Sequence, residues 1–199
     1  MTSVTAICNR ALTKLGDSRI LDITDDNKQA RTMNSMFTIV RDAELRARVW
    51  NFSKTRVSLA ADVDTPAWGY DYQYSLPSDC LRVLQVGQYY PAASLTDYVT
   101  GDERPYSIEG GKILINDDGP LDILYVSSVS DVSLWDSCFC EVMAAKLAME
   151  ACETLTQSNT KRQLAEREYI AAVTAAIRSN ALEVLPVQFN ETSWVMSRL

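Results

Sequence analysis

The sequence predicts an α+β fold: an antiparallel four-helix bundle formed by N- and C-terminal helix pairs, with a β-rich insertion between the pairs and an extended C-terminal tail. Three observations predict it. Apolar residues recur at helical spacing near both ends of the chain, the period falls to two in the middle, and the last residues follow neither period. The expected divisions are residues 1–53 and 131–182 for the helical body, 54–130 for the insertion and 183–199 for the tail.

The first helix reads from Val4, Ile7, Cys8, Ala11, Leu12 and Leu15, with Thr2 or Ser3 as its N-cap and Gly16 as its stop. A polar link from Asp17 to Asn27 holds a small apolar knot at Ile20, Leu21 and Ile23. The second helix opens at Asp26 or Asn27, and Asp26 with Gln29 resembles a capping box. Its apolar face is Met33, Phe37, Val40, Ala47 and Trp50; Arg41, Glu44, Arg46 and Arg48 fall on the remainder, as on a solvated or intersubunit surface.

Alternation then takes over. Val57 and Leu59, Tyr70 to Leu76, Leu81 to Val86 and Leu121 to Val126 are strand candidates. The sharpest local signal is YSIEGGKILIND, where Gly110-Gly111 suits the positive φ angles of a tight hairpin turn. Pro66, Pro77, Pro91, Pro105 and Pro120 fall at strand borders, where a missing N–H is tolerated. Asp136 or Ser137 can cap a third helix with the stripe Cys140, Met143, Ala144, Leu147, Ala151 and Leu155. After a short link, a fourth helix turns Ala165, Tyr169, Ala172, Val173 and Ala176 inward, and so short a link makes the two antiparallel. Pro186 stops this helix, and Trp194 beyond it is a large aromatic that needs a surface to bury against.

Composition narrows the chemistry. No apolar run approaches the roughly 20 residues of a bilayer span. The N-terminal stretch MTSVTAICNR lacks the basic-then-apolar layout of a signal peptide, so a chain used without export is expected. The five cysteines are scattered, and Cys138 and Cys140, two residues apart, do not share a helix face; reduced, largely buried thiols are expected rather than a metal site. There is no histidine, which removes Ser-His and Cys-His nucleophiles and the commonest general base. Nineteen basic against 26 acidic residues give a net charge of −7, unsuited to gripping DNA phosphates.

A glycan hydrolase needs only two carboxylates, and Asp102, Glu103, Glu109, Asp117 and Asp118 lie near predicted loops, but no flanking pattern marks one as a raised-pKa acid. Asp25-Asp26 and Asp117-Asp118 lack the spaced oxygens of a calcium loop and suit turns or caps. Trp50-Asn51-Phe52 reads as a core anchor after the second helix, and Tyr70, Tyr72 and Tyr74 as a half-buried strand rather than a carbohydrate platform. No catalytic, cofactor-binding or metal-binding residue is assigned, and no cofactor is expected.

Several phrases in order carry a resemblance: LTKLG (12–16), RDAELRARVWNFSKTRVSLA (41–60), YDYQYSLPSDCLRVLQV (70–86), YSIEGGKILIN (106–116), CFCEVMAAKLAMEACETLTQS (138–158) and the terminal SWVMSRL. Together they resemble the tail tubular protein A family of short-tailed bacteriophages, the head-to-tail adaptors also called tail accessory factors. The resemblance implies a helical bundle with an inserted β-domain, and a structural, non-enzymatic connector. It implies a dodecameric ring between the portal protein and the tail nozzle (a tail tubular protein B-like subunit), in the neck of the virion tail and assembled in the host cytoplasm. It also assigns Phe189, Trp194 and Arg198 to portal docking. DNA would pass through the lumen of such a ring without specific binding, since −7 per subunit repels phosphates. The alternative is a tail component with peptidoglycan-cleaving, muramidase-like activity. No membrane partner is expected.

Overall fold

Ser3 opens helix α1 (Val4–Leu15) by accepting a hydrogen bond from the Ala6 N–H, and Gly16, in the left-handed conformation at φ 66°, closes it. The structure, a computed structural model, describes residues 3–88 and 106–183. Among these residues the fold is mixed α+β, with four α-helices and two small antiparallel sheets.

The link after α1 is tied down by Asn9, whose side chain donates to the Ile20 carbonyl and accepts from the Ile20 N–H. Helix α2 (Lys28–Ala47) is capped by Asn27, which accepts from Ala30 N–H. The expected Asp26–Gln29 box does not form: Gln29 reaches back to Asp17 and Ser18, and Asp26 pairs with Arg31. A second difference lies at the other end of α2. Ala47 is exposed, because the helix stops there and the chain turns out at Arg48; Leu45 and Glu44 take the inward positions of the last turn.

After a 3-10 turn at Asn51–Ser53 come strands β1 (Lys54–Leu59), β2 (Tyr72–Ser75), β3 (Cys80–Val86), β4 (Tyr106–Glu109), β5 (Lys112–Ile115) and β6 (Leu121–Ser127). β4 and β5 form the expected hairpin, with Gly110 and Gly111 at φ 56° and 79°. The sheets run β1-β6-β3 and β2-β5-β4, so the last strand in sequence is the centre of its sheet. They share one buried cluster in which Tyr74, Ile113 and Ile115 from one sheet meet Val83, Val86, Leu121, Ile123 and Tyr125 from the other. On its other face the first sheet sends Val126 into the helical core, with Leu81 and Leu84 against it. Asp42 on α2 accepts from Ser128 just past β6 at 2.8 Å, which fixes the sheet to the helices.

Asp136 caps α3 (Ser137–Thr156), accepting from Cys138 and Phe139 N–H. Gln157 and Ser158 link it to α4 (Asn159–Leu182). Helices α1, α2 and α4 all pack on α3. Near its N-terminal end Phe139 is the hub of an aromatic cluster: the rings of Trp50, Phe52 and Trp135 each lie 5.0 Å from it, centroid to centroid. Edge-on and tilted contacts of this kind add to the gain from burial alone.

Candidate partner-docking surface

Helix α4 is half a core helix and half a surface. Ala165, Val173 and Ala176 are buried against α3, and Tyr169 and Ala172 are half-buried. Its first half is charged and tied to its neighbours: Lys161 Nζ donates to the Leu15 carbonyl at 2.7 Å, Glu168 meets Lys14 at 3.2 Å, and Arg162 meets Glu153 at 3.2 Å. Its second half is different. From Ile170 to Leu182 the only charged residue is Arg178. Ile170 is 57% exposed, Ile177 46% and Leu182 87%. Ile170, Thr174, Ile177 and Ala181, spaced four, three and four apart, line one outward face of the helix. Apolar side chains left exposed along one helix face are available for another surface to pack against.

Two polar knots hold this half in place. The first centres on Glu44, which sequence pattern puts on the solvated side of α2 but which is only 4% exposed. Its carboxylate accepts from the Tyr169 hydroxyl at 2.7 Å and pairs with Arg48 at 2.5 Å, while Arg48 donates to the same hydroxyl at 3.3 Å. Lys146 lies 5.2 Å over the Tyr169 ring. Burial raises the Tyr169 pKa, and its bond to the Glu44 carboxylate raises it further, so the phenol stays a donor. The second knot joins the Trp50-Asn51-Phe52 turn to Asn180 and Glu183, where α4 ends.

The tryptophan and phenylalanine of that turn are the core anchors expected of them. Of the tyrosines, Tyr74 is fully buried, donating to the Asp117 and Gly119 carbonyls, and Tyr72 packs against the sandwich core. Among the described residues the aromatic that faces solvent is Trp68, 86% exposed, beside a shallow cavity of about 390 Å³ that also touches Tyr70, Gln73, Glu109 and Lys112. Among the described residues Glu109 is the one carboxylate lining that cavity, and it already accepts from the Ser107 hydroxyl. Asp102 and Glu103, and the docking residues Phe189, Trp194 and Arg198, lie outside the described residues.

The arginines around the end of α2 are engaged within the chain: Arg41 with Asp42 and Ser128, Arg46 with the Leu81 carbonyl, and Arg48, just past the helix, with Glu44. Asp25 accepts from the Leu21 and Asp22 N–H groups, a turn role as expected. Burial pushes the Cys8 thiol up to about 12 and the Cys140 thiol up to about 11, which keeps both protonated. Among the described residues no group of three or more His, Cys, Asp or Glu side chains could hold a metal ion, and no helix is long and apolar enough to cross a membrane.

No family model matches the chain, and no curated protein matches it. Sequence pattern did not single out Glu44, Asn180 or the outward face of α4. A signal for the last was present, in the unbroken uncharged stretch Ile170–Ile177, where two isoleucines seven apart fall outside the inward set.

Proposed function

We propose that the chain is a structural head-to-tail adaptor of a short-tailed phage, forming a ring between portal and tail nozzle around the DNA exit channel and acting by docking rather than catalysis. The observation that carries this reading is the exposed, nearly uncharged second half of α4, which leads directly into the C-terminal segment. A surface of that kind at the exit of the helical body suits a subunit completed by neighbours. The ordered phrases that resemble the tail tubular protein A family support the same reading. So does the internal pairing of Arg41 and Arg48, which leaves the net charge of −7 to keep DNA from sticking to a lumen.

In this reading residues 1–53 and 131–182 are an antiparallel four-helix bundle, 54–130 an inserted β-domain, and 183–199 a docking tail. Phe189, Trp194 and Arg198 are the portal contacts, in the manner of an extended segment whose alternate side chains fill pockets on its partner. The site of action is the neck of the virion tail.

Negative-stain microscopy of the purified protein mixed with the portal protein encoded in the same genome tests the reading. Rings stacked on the portal are expected. A monodisperse protein that never joins the portal would overturn it.

A further inference from the structure

We propose that Asn51 is an external C-cap of α4, and that through it the rigid Trp50-Asn51-Phe52 turn sets the point at which the helical body hands over to the C-terminal segment. The second half of this inference rests on the proposed function; the first does not.

The three other helices differ in how they end. α1 stops at Gly16 and α3 at Gln157, both left-handed, with the cap N–H turned back onto carbonyls of the last turn. α2 stops because the chain becomes extended at Arg48. α4 ends on neither a left-handed nor an extended residue; the Glu183 N–H does turn back, onto the Ala181 carbonyl alone. Glu183, its C-terminal neighbour, is still right-handed helical at φ −77° and ψ −14°. Past Ala176 no side chain of the helix is buried. The last turn of a helix carries carbonyls without intrahelical partners, and an end with neither burial nor cap frays.

Asn51 supplies what α4 lacks. Its Nδ2 donates to the Asn180 carbonyl at 2.8 Å and to Glu183 Oε2 at 3.0 Å. Its backbone N–H donates to Asn180 Oδ1 at 2.8 Å, and Asn180 Nδ2 donates to the Val49 carbonyl at 3.1 Å. Lys54 Nζ donates to Asn51 Oδ1 at 2.7 Å and so fixes which way the amide faces. The donor side of this clamp cannot drift, because the adjoining Trp50 and Phe52 rings are both packed on Phe139. An asparagine suits the position because its amide offers two donors and an acceptor at once. A rigid turn thus defines the end of a helix that does not define its own. Glu183, which the clamp holds, is the residue from which the C-terminal segment continues in sequence.

Hydrogen exchange on the full chain tests the cap. In Asn51→Ala and separately in Asn180→Ala, amides in the last turn of α4 should exchange about tenfold faster, with those of α3 unchanged. Unchanged exchange in both variants overturns the cap, as does acceleration spread equally over α3. The docking half is tested by portal affinity in a cycle with Trp194→Ala. Asn51→Ala should weaken binding about fivefold in the otherwise native chain and less than about twofold when Trp194 is already removed. Equal losses in both backgrounds overturn the positioning role. A native chain that does not bind the portal at all overturns the proposed function and the docking half with it, and leaves the cap to be judged by exchange alone.

Discussion

Helices α3 and α4 are neighbours in sequence and packed against each other, yet they are built for opposite ends. α3 buries nine side chains between Phe139 and Cys152 and has a cap at each end within its own local sequence. α4 is longer and buries three, all small or β-branched, and its last turn is held by residues from the turn after α2. Burial on several sides makes α3 the element on which α1, α2 and α4 converge. Burial on one narrow stripe leaves α4 an outer face that is exposed among the described residues. The difference is one of burial: α3 is enclosed by its neighbours, and α4 is covered on a single stripe.

The largest effect should come from the hub of α3. Phe139→Ala removes a fully buried ring that touches Trp50, Phe52 and Trp135, and should cost about 3–5 kcal/mol in urea unfolding, because three large rings cannot all collapse into the space. A loss below about 1 kcal/mol would mean that α3 is not the centre of this core.

The next effect lies where the two helices share a partner. Tyr169→Phe on α4 deletes a hydroxyl bonded to the buried Glu44 carboxylate on α2. It should cost about 1–3 kcal/mol, since the buried carboxylate loses a hydrogen-bond donor and keeps its ion pair with Arg48. Restoring stability by Glu44→Gln in the Tyr169→Phe background would show that the cost is that of an under-partnered charge, and a double-mutant cycle by thermal unfolding measures it.

A smaller effect depends on pH. Glu141 on α3 faces Arg10 at 3.1 Å and Lys14 at 2.7 Å on α1. Partial burial works against its ionisation, but the hydrogen bonds and charges of Arg10 and Lys14 outweigh this and hold its pKa below the usual carboxylate value. A folded pKa below the unfolded one gives stability that is present above the ordinary glutamate range and is lost as pH falls through the folded value. Glu141 is partly exposed, so the contribution is about 0.2–1 kcal/mol. Stability measured by urea titration at neutral pH and again at about pH 3 should fall less in Glu141→Gln than in the native chain. An identical fall would remove Glu141 from the acid response.

Much of this arrangement is legible in sequence where the cause is local. Ser3, Gly16, Asp136 and the Gly110-Gly111 turn each act within a few residues, and each does what its residue type predicts. The strands were readable as strands. Their partners were not, since β6 lies between β1 and β3 through hydrophobic contacts that no short window contains. Glu44 shows the same limit on a helix. With Arg48 four residues on, it has the pattern of a solvated ion pair, yet it is buried and bonded to Tyr169, 125 residues away. Asn51 was readable as part of an anchoring turn, but its bonds to Asn180 depend on the ends of α2 and α4 meeting in space.

The smallest effect on stability is the most telling for the comparison. Ile170 and Ile177 lie on the outer face of α4, about half exposed, whereas Val142, Met143 and Leu147 on α3 are buried. Ile170→Ser and Ile177→Ser should change unfolding free energy by no more than about 0.5 kcal/mol each, the range of surface substitutions that disturb no cap, cavity or network. Serine has a helix propensity close to that of isoleucine, so the substitution tests burial rather than the backbone. If the face exists for the fold, losses of about 2 kcal/mol or more should appear in equilibrium unfolding, as they do when buried aliphatic side chains are cut back. If it exists for a partner, the same variants should unfold like the native chain and lose only their ability to join a portal ring, read by microscopy of the mixture. A stable variant that still assembles normally would leave the face without either role and would remove the observation on which the docking reading leans most.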